Sequence, residues 1–296
     1  HVRNTKQIRS MAGKALFNGT WIGAAEPVFR VTDRSVLYGD GVFETIRSFG
    51  TEGIRFWEAH YFRLMASMRL LRMRIPDAWS PEFLLNHLIE VAKSNSIKNN
   101  DVRIRFSVWR KGDSGYGTRS SEVDWSLTAS ILEGSQYTEL SDYSAVVFKE
   151  FTKTPGALAG LKGPHSFLYT QSERFALEMG ASESLVLTPD NRLLEGGKSN
   201  LFLLFGSELV TAPLSAGCIR GIVREQVLKQ AASLGLSVRE ETLSPFELQR
   251  ADEVWLTNAV VGVQSLSHYK QTRFANEQAN RMRSILEDVS RESSWL

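Results

Sequence analysis

The chain has one cysteine in 296 residues. Cys218 alone excludes an intrachain disulfide and a cysteine-rich zinc site, and no metal centre is expected. No stretch reaches the roughly 18 consecutive apolar residues that a membrane-spanning helix needs. Nothing resembles a signal peptide, so the cytoplasm is the expected location. A large excess of one charge is missing too, the formal net charge being +2. That removes the broad electrostatic case for nucleic acid or membrane-surface partners. There are no internal repeats and no low-complexity tracts. What remains is 42% hydrophobic and 23% charged, an ordinary globular composition with room for one large domain or two smaller ones. Residues 1–10, HVRNTKQIRS, are basic and polar, precede Met11 as a plausible natural start, and stand outside the fold argument.

Periodicity supplies the elements. Ala15–Phe17 and Thr20–Ile22 flank Asn18-Gly19, the strongest short hairpin signal. Helical spacing covers 57–74 and 81–95, the first closed by Pro76. Residues 102–109 alternate Val102, Ile104, Phe106 and Val108 against Arg103, Arg105 and Ser107, which predicts a strand with both arginines on one face. Strands are expected over 125–132 and 144–150, and the mostly polar segment 134–143 reads as a linker between domains at 11–133 and 144–296. Beyond it the pattern predicts a helix over 167–179 closed by Gly180 and a strand over 184–187. A hairpin follows, 201–205 with 209–212. The last elements expected are a helix over 219–234, strands over 254–257 and 261–268, and a helix over 277–289. Strands and helices mix in both halves, so the expected class is α+β in two domains, and a cleft between domains is a common ligand site.

Two segments carry chemistry. Leu161-Lys162-Gly163 offers an amine that can form a Schiff base. Leu194-Glu195-Gly196-Gly197-Lys198-Ser199-Asn200-Leu201-Phe202 offers a carboxylate in a glycine-rich turn before an apolar strand. A lysine and a carboxylate on opposite sides of one aromatic cofactor are what pyridoxal 5′-phosphate chemistry requires: the lysine forms the imine and the carboxylate keeps the pyridine nitrogen protonated. A scaffold without chemistry would not need Lys162, Glu195 and Arg63 together.

Six ordered motifs resemble the class IV aminotransferases, the fold-type IV pyridoxal phosphate enzymes. They are Asp33-Arg34-Ser35-Val36-Leu37-Tyr38-Gly39-Asp40-Gly41-Val42-Phe43-Glu44, Ala59-His60-Tyr61-Phe62-Arg63-Leu64, the Lys162 segment, the Glu195–Phe202 run, Gly221-Ile222-Val223-Arg224 and Leu256-Thr257-Asn258-Ala259. The resemblance spans about residues 15–268. It implies a small N-terminal α/β domain, a larger C-terminal α+β domain, the cofactor in the cleft between them, and a homodimer. It makes Lys162 the Schiff-base lysine, Glu195 the partner of the pyridine nitrogen, and Arg63 a phosphate ligand whose fork suits an oxyanion. Gly221, Ile222 and Val223 would present backbone N–H groups at a helix start, with Ser199, Asn200, Asn258 and Ala259 completing the cofactor site. Val223 stands where many relatives carry threonine, so a backbone donor survives there and a hydroxyl does not. The residue facing the cofactor hydroxyl is open among Ser166, Phe167 and Tyr169. His60 reads as structural, and Cys218 as a small apolar loop residue.

The substrate carboxylate needs cations, and Arg34, Arg103 and Arg105 are the candidates, with Phe43 beside them. Two arginines on one strand face are costly to bury unless an anion meets them. The family also includes branched-chain aminotransferases, D-amino-acid aminotransferases and aminodeoxychorismate lyases. The run Trp109–Gly117 resembles the lyase loop but has Ser114 where that pattern expects arginine, and the Arg-x-His pair of the D-amino-acid enzymes is absent. The reading is a transaminase moving an amino group between an amino acid and a 2-oxo acid, with D-amino acids favoured. The alternatives are an aminodeoxychorismate lyase and a branched-chain L-amino-acid aminotransferase.

Overall fold

Asn18 and Gly19 both take positive φ, 48° and 83°. That turn has the twist a two-residue hairpin needs. It joins β1 (Lys14–Phe17) to β2 (Thr20–Gly23), with Phe17 opposite Thr20. A computed structural model of the chain describes residues 13–112 and 115–292. The expectations for residues 1–10, Met11 and Ser114 lie outside the described residues. The fold divides into two compact units. One comprises the described residues up to Gln136, residues 162–165 and the segment from Ser290. The other comprises Tyr137–Leu161 and Ser166–Val289.

The first unit is built on an antiparallel sheet of β1, β2, β3 (Gly41–Phe49), β4 (Gly53–Ile54), β5 (Val102–Arg110) and β6 (Val123–Ile131), in the order β2-β1-β6-β5-β3-β4. Alternation in β5 buries Val102, Ile104, Phe106 and Val108 completely or nearly so. A short helix, α1 (Arg34–Tyr38), precedes β3. Helix α2 (Trp57–Leu70) packs on β3, and α3 (Pro81–Asn95) on β5 and β6. Each buried aliphatic or aromatic side chain there contributes about 1.5–3 kcal/mol. The start of α3 is set by its sequence. Ser80 accepts the Phe83 N–H and Pro81 takes the first helical position, where its missing donor costs nothing. Helix α2 stops short of the expected residue 74. Arg72 adopts φ 54° and the Met73 N–H returns to the Met68 carbonyl at 2.9 Å, a left-handed cap that turns Met73 into the core. A buried ion cluster ties the far end of the sheet. The Asp101 carboxylate accepts from Arg47 Nε at 2.6 Å, from Arg55 Nη2 at 3.3 Å and from the Gly50 N–H at 2.7 Å.

The second unit holds β7 (Ala145–Thr152), β8 (Glu183–Leu187), β9 (Leu193–Gly196), β10 (Asn200–Phe205), β11 (Glu208–Thr211), β12 (Ser237–Glu240), β13 (Glu253–Asn258) and β14 (Gly262–Ser265). The path runs β12-β11-β10-β9-β8-β7, and β10 also pairs β13, which pairs β14. The β7/β8 and β11/β12 pairs are parallel and the others antiparallel. Leu201–Leu204 is buried at every position, as a strand covered on both faces requires. Helices α4 (Phe167–Glu178) and α5 (Ile222–Gln230) belong to this unit, as does α6 (Glu277–Glu292) up to Val289. Helix α5 starts later than the expected residue 219, because Gly221 is an extended N-cap with φ −68° and ψ 136°. It gives way to a 3₁₀ turn, Ala231–Leu234, that Gly235 ends in the left-handed region. The strand expected over 261–268 stops at Ser265. No described helix is long and apolar enough to cross a membrane.

Candidate active site

Glu195 lies in β9, one residue ahead of the glycine-rich turn in which the sequence reading placed it. Strand β9 sets it opposite Val186 on one side and Asn200 on the other. The residue is 2% exposed. Oε1 accepts from Lys153 Nζ at 2.7 Å and from the Tyr169 hydroxyl at 2.8 Å, and Oε2 accepts from the Ile219 N–H at 2.9 Å. Lys153 also donates to the Tyr169 hydroxyl. Lys153 follows directly on β7, where the pairing with β8 slips, and its N–H is held by the Leu187 carbonyl at 2.8 Å. That slip turns inward a chain whose preceding four residues are exposed. Burial, with the Glu195 charge beside it, pushes the Tyr169 phenol far above its ordinary range, so it serves as a neutral donor.

The turn after β9 is held from behind. The Gly196 N–H reaches the Ser199 carbonyl at 2.7 Å and the Gly197 N–H reaches the Ser184 carbonyl at 2.9 Å. The Ser199 hydroxyl donates to Glu183, whose carboxyl is raised chiefly by burial. Lys198 Nζ pairs with Glu173 at 2.7 Å. Ser199, expected at the cofactor, therefore spends its side chain on the turn itself.

Asn200 connects this turn to α5. Its Nδ2 donates to the Ile219 carbonyl at 2.8 Å, and a Cβ on Gly221 would collide with its Oδ1. Ile222 and Val223 are the first two residues of α5, where N–H groups have no carbonyl of their own helix to bond. Across the β10–β13 pairing, Asn200 faces Thr257. Thr257 is 1% exposed, and its Oγ1 is buried with no hydrogen-bond partner among the described residues. Asn258 Oδ1 accepts from the Val260 and Val261 N–H groups at 2.9 and 3.1 Å, so it shapes the turn that also holds Ala259. An orphaned hydroxyl, a helix start and a glycine that tolerates no side chain suit a phosphate. The buried Glu195 carboxylate suits a ring N–H. These residues fit a group that carries both.

The first unit holds the other expected residues. Arg63, on α2, meets Glu44 of β3 with Nε 2.8 Å from Oε1 and Nη2 at Oε2. His60, one turn earlier, lies 2.8 Å from the same Oε2. Burial alone would raise the Glu44 carboxyl, but Arg63 and His60 bring it down to about 2. His60 is lowered by its burial, against the pull of Glu44. Lys162 is stitched to the head of β3, its carbonyl accepting the Phe43 N–H at 2.9 Å. Its Nζ lies 4.9 Å from the centre of the Phe43 ring, and the Arg105 guanidinium lies 3.5 Å from the same centre. Desolvation there, and the neighbouring Arg103, lower the Arg105 pKa. No carboxylate pairs with Arg105 among the described residues; its side-chain hydrogen bond goes to Ser107 Oγ at 3.3 Å. Arg34 differs. It is 4% exposed, bonded to Asp40 at 2.9 Å and to the Gly115 and Tyr116 carbonyls at 2.6 and 3.1 Å. It anchors a loop, sharing Asp40 with Arg110.

Sequence reasoning passed over Lys153, Glu44 and Thr257 as site residues. Thr257 and Glu44 lie inside two of the family motifs, and a polar residue within an apolar strand pattern is the signal that could have found them. Nothing around Thr152-Lys153-Thr154-Pro155 distinguishes that lysine from a surface one.

The model of the family described as amino-transferase class IV matches residues 41–269. A putative branched-chain-amino-acid aminotransferase of Methanocaldococcus jannaschii is 28% identical over 84% of this chain and 85% of its own length. The aminodeoxychorismate lyase of Bacillus subtilis is 26% identical over 88% of each. Among solved structures, a T.th. branched-chain amino acid aminotransferase with pyridoxamine 5′-phosphate superposes with a TM-score of 0.83 at 25% identity, covering 95% of both chains.

Proposed function

The chain belongs to the class IV aminotransferases, and from that premise we propose that it moves an amino group between an amino acid, a D-amino acid by preference, and a 2-oxo acid. Pyridoxal 5′-phosphate, when bound, supplies an aldehyde that takes the amino group and a ring that draws electrons from the adjacent carbon. Lys162 is the amine that holds the aldehyde and moves the proton at the substrate α-carbon. Glu195 accepts the ring N–H. The Ile222 and Val223 N–H groups and the Thr257 hydroxyl bind the phosphate, with Arg63 as its cation, and Asn200 and Gly221 keep that cradle open. Asn258 and Ala259 shape its other side. Arg105 takes the substrate carboxylate, Arg103 adds charge on the same strand face, and the Phe43 ring fixes the guanidinium.

The observation that carries this reading is the Arg105–Phe43–Lys162 arrangement. A guanidinium with no carboxylate partner among the described residues lies over the ring that also borders the reactive amine. A substrate whose carboxylate and amino group share one carbon would set its carboxylate at the Arg105 guanidinium and that carbon near the Lys162 amine. We also take the working unit to be a homodimer. Phe29, Val31, Val36 and Leu37 are 50%, 84%, 56% and 45% exposed within one short segment, an apolar surface that a second copy would cover.

The test offers the cofactor-loaded protein three substrates: D-alanine or L-leucine, each with 2-oxoglutarate, and 4-amino-4-deoxychorismate. Products are read by mass spectrometry. Pyruvate and glutamate from D-alanine are expected. Leucine turnover alone would assign the branched-chain reaction, and p-aminobenzoate without amino transfer would assign the lyase.

A further inference from the structure

Glu195 has a cation beside it before any ligand arrives. Lys153 Nζ is 2.7 Å from Oε1, and the two side chains are 9% and 2% exposed, so water screens the pair poorly. Oε1 already has two donors, Lys153 and Tyr169. Oε2 has one, the Ile219 N–H, and retains a lone pair. Neither Tyr169 nor Cys218 adds charge, since burial raises both, the thiol to about 11. The carboxylate can therefore still accept a hydrogen bond at Oε2, but its negative charge is largely matched.

We infer that Lys153 is a positioning residue that tempers Glu195, so that the cofactor's ring nitrogen meets a neutralised ion pair and not a free negative charge. This rests on the reading that Glu195 receives that nitrogen. A lone carboxylate would favour a fully protonated ring and the strongest electron withdrawal. A carboxylate shared with an ammonium group holds the nitrogen by a hydrogen bond and yields less charge stabilisation. Lys153 thereby sets how strongly the ring can draw electrons from the substrate. The same contact excludes Lys153 as the aldehyde-bearing amine. An amine held at the carboxylate that serves the ring nitrogen is on the wrong side of a six-membered ring to reach its para substituent.

The test compares dissociation constants, by fluorescence titration, for pyridoxal 5′-phosphate and for its 1-deaza analogue, in which the ring nitrogen is CH. Their ratio isolates the nitrogen's contribution and cancels any general loss of packing within one protein. In Lys153→Met the ratio in favour of the natural cofactor rises about tenfold, because Glu195 then has the ring nitrogen as its only cationic partner. Lys153→Arg keeps the wild-type ratio. An unchanged ratio in Lys153→Met, with both ligands weakened alike, means that Lys153 only packs and overturns the proposal. A fall in the ratio means that it helps the nitrogen bind, and overturns it as well. Wild-type protein that binds both compounds equally would sink the Glu195 reading and this inference together, which separates the two failures.

Discussion

Glu44 takes the Arg63 guanidinium on both carboxylate oxygens, across the contact between β3 and α2, with His60 on the second oxygen. All three groups are at least mostly buried, so this pair aims the proposed phosphate ligand and also joins helix to sheet.

Its acid response follows from the two shifted groups. The Glu44 carboxyl moves from 4.5 to about 2 on folding. A depressed carboxyl contributes stability that is complete above the unfolded value and is lost as pH falls from 4.5 toward 2. His60 is lowered from 6.5, so the unfolded chain takes up its proton first, and stability begins to fall below pH 6.5. Urea unfolding at pH 7, 5 and 3 should show falling midpoints. Glu44→Gln should lose about 3 kcal/mol at pH 7 and show a flatter dependence between pH 4.5 and 3. An equally steep acid limb in the variant would assign the effect to other carboxylates.

Arg105 has the opposite profile. It has no acid partner among the described residues, so little stability depends on its charge. If it receives the substrate carboxylate, Arg105→Leu should lower kcat/KM about 10- to 100-fold, mostly through KM. Its Tm should stay within about 2 °C of wild type. A lower Tm with unchanged kinetics would make Arg105 structural and remove the clamp from the proposed function.

The sequence exposed the fold wherever local chemistry decides it. Asn18-Gly19 fixed a hairpin, Ser80-Pro81 a helix start, and the β5 alternation a buried face. Lys162, Glu195 and Arg63 stood out because ordered motifs surround them. What stayed hidden depends on contacts distant in sequence. Strand β3 is not among the expected strands, because Glu44 breaks the apolar face of Val42 and Ile46 while Arg47 is buried on the opposite face; Arg63 and His60 partner the first, and Asp101 with the Gln136 carbonyl the second. Lys153 turns inward because of a register slip against β8, which no window around residue 153 reports. The bonds of Arg34 to Asp40 and to the carbonyls at 115 and 116 were hidden for the same reason.

Cys218 offers a check on the loop before α5. It is 2% exposed, and desolvation, with Glu195 nearby, raises its thiol to about 11. The thiolate is the reactive form, so native protein at pH 8 should resist iodoacetamide for hours. In urea the single thiol should label within minutes. Rapid native labelling would mean that the 216–221 loop opens, and the contact from the Ile219 N–H to Glu195 with it.

Gly221→Ala tests the cradle without touching charge. The backbone at 221 is extended, with φ −68°, so alanine is conformationally acceptable there. The obstacle is its Cβ, which would be driven into Asn200 Oδ1. Asn200 is 5% exposed and bonded to the Ile219 carbonyl, so it cannot swing into solvent. Relief must come from the start of α5 moving away, which carries the Ile222 and Val223 N–H groups off the proposed phosphate. The expected cost to stability is about 1–3 kcal/mol. Binding of pyridoxal 5′-phosphate should weaken about tenfold or more, whereas pyridoxal, which lacks the phosphate, should bind as it does to wild type. Equal weakening of both would show that the substitution acts on the fold as a whole and would leave the phosphate without its assigned donors.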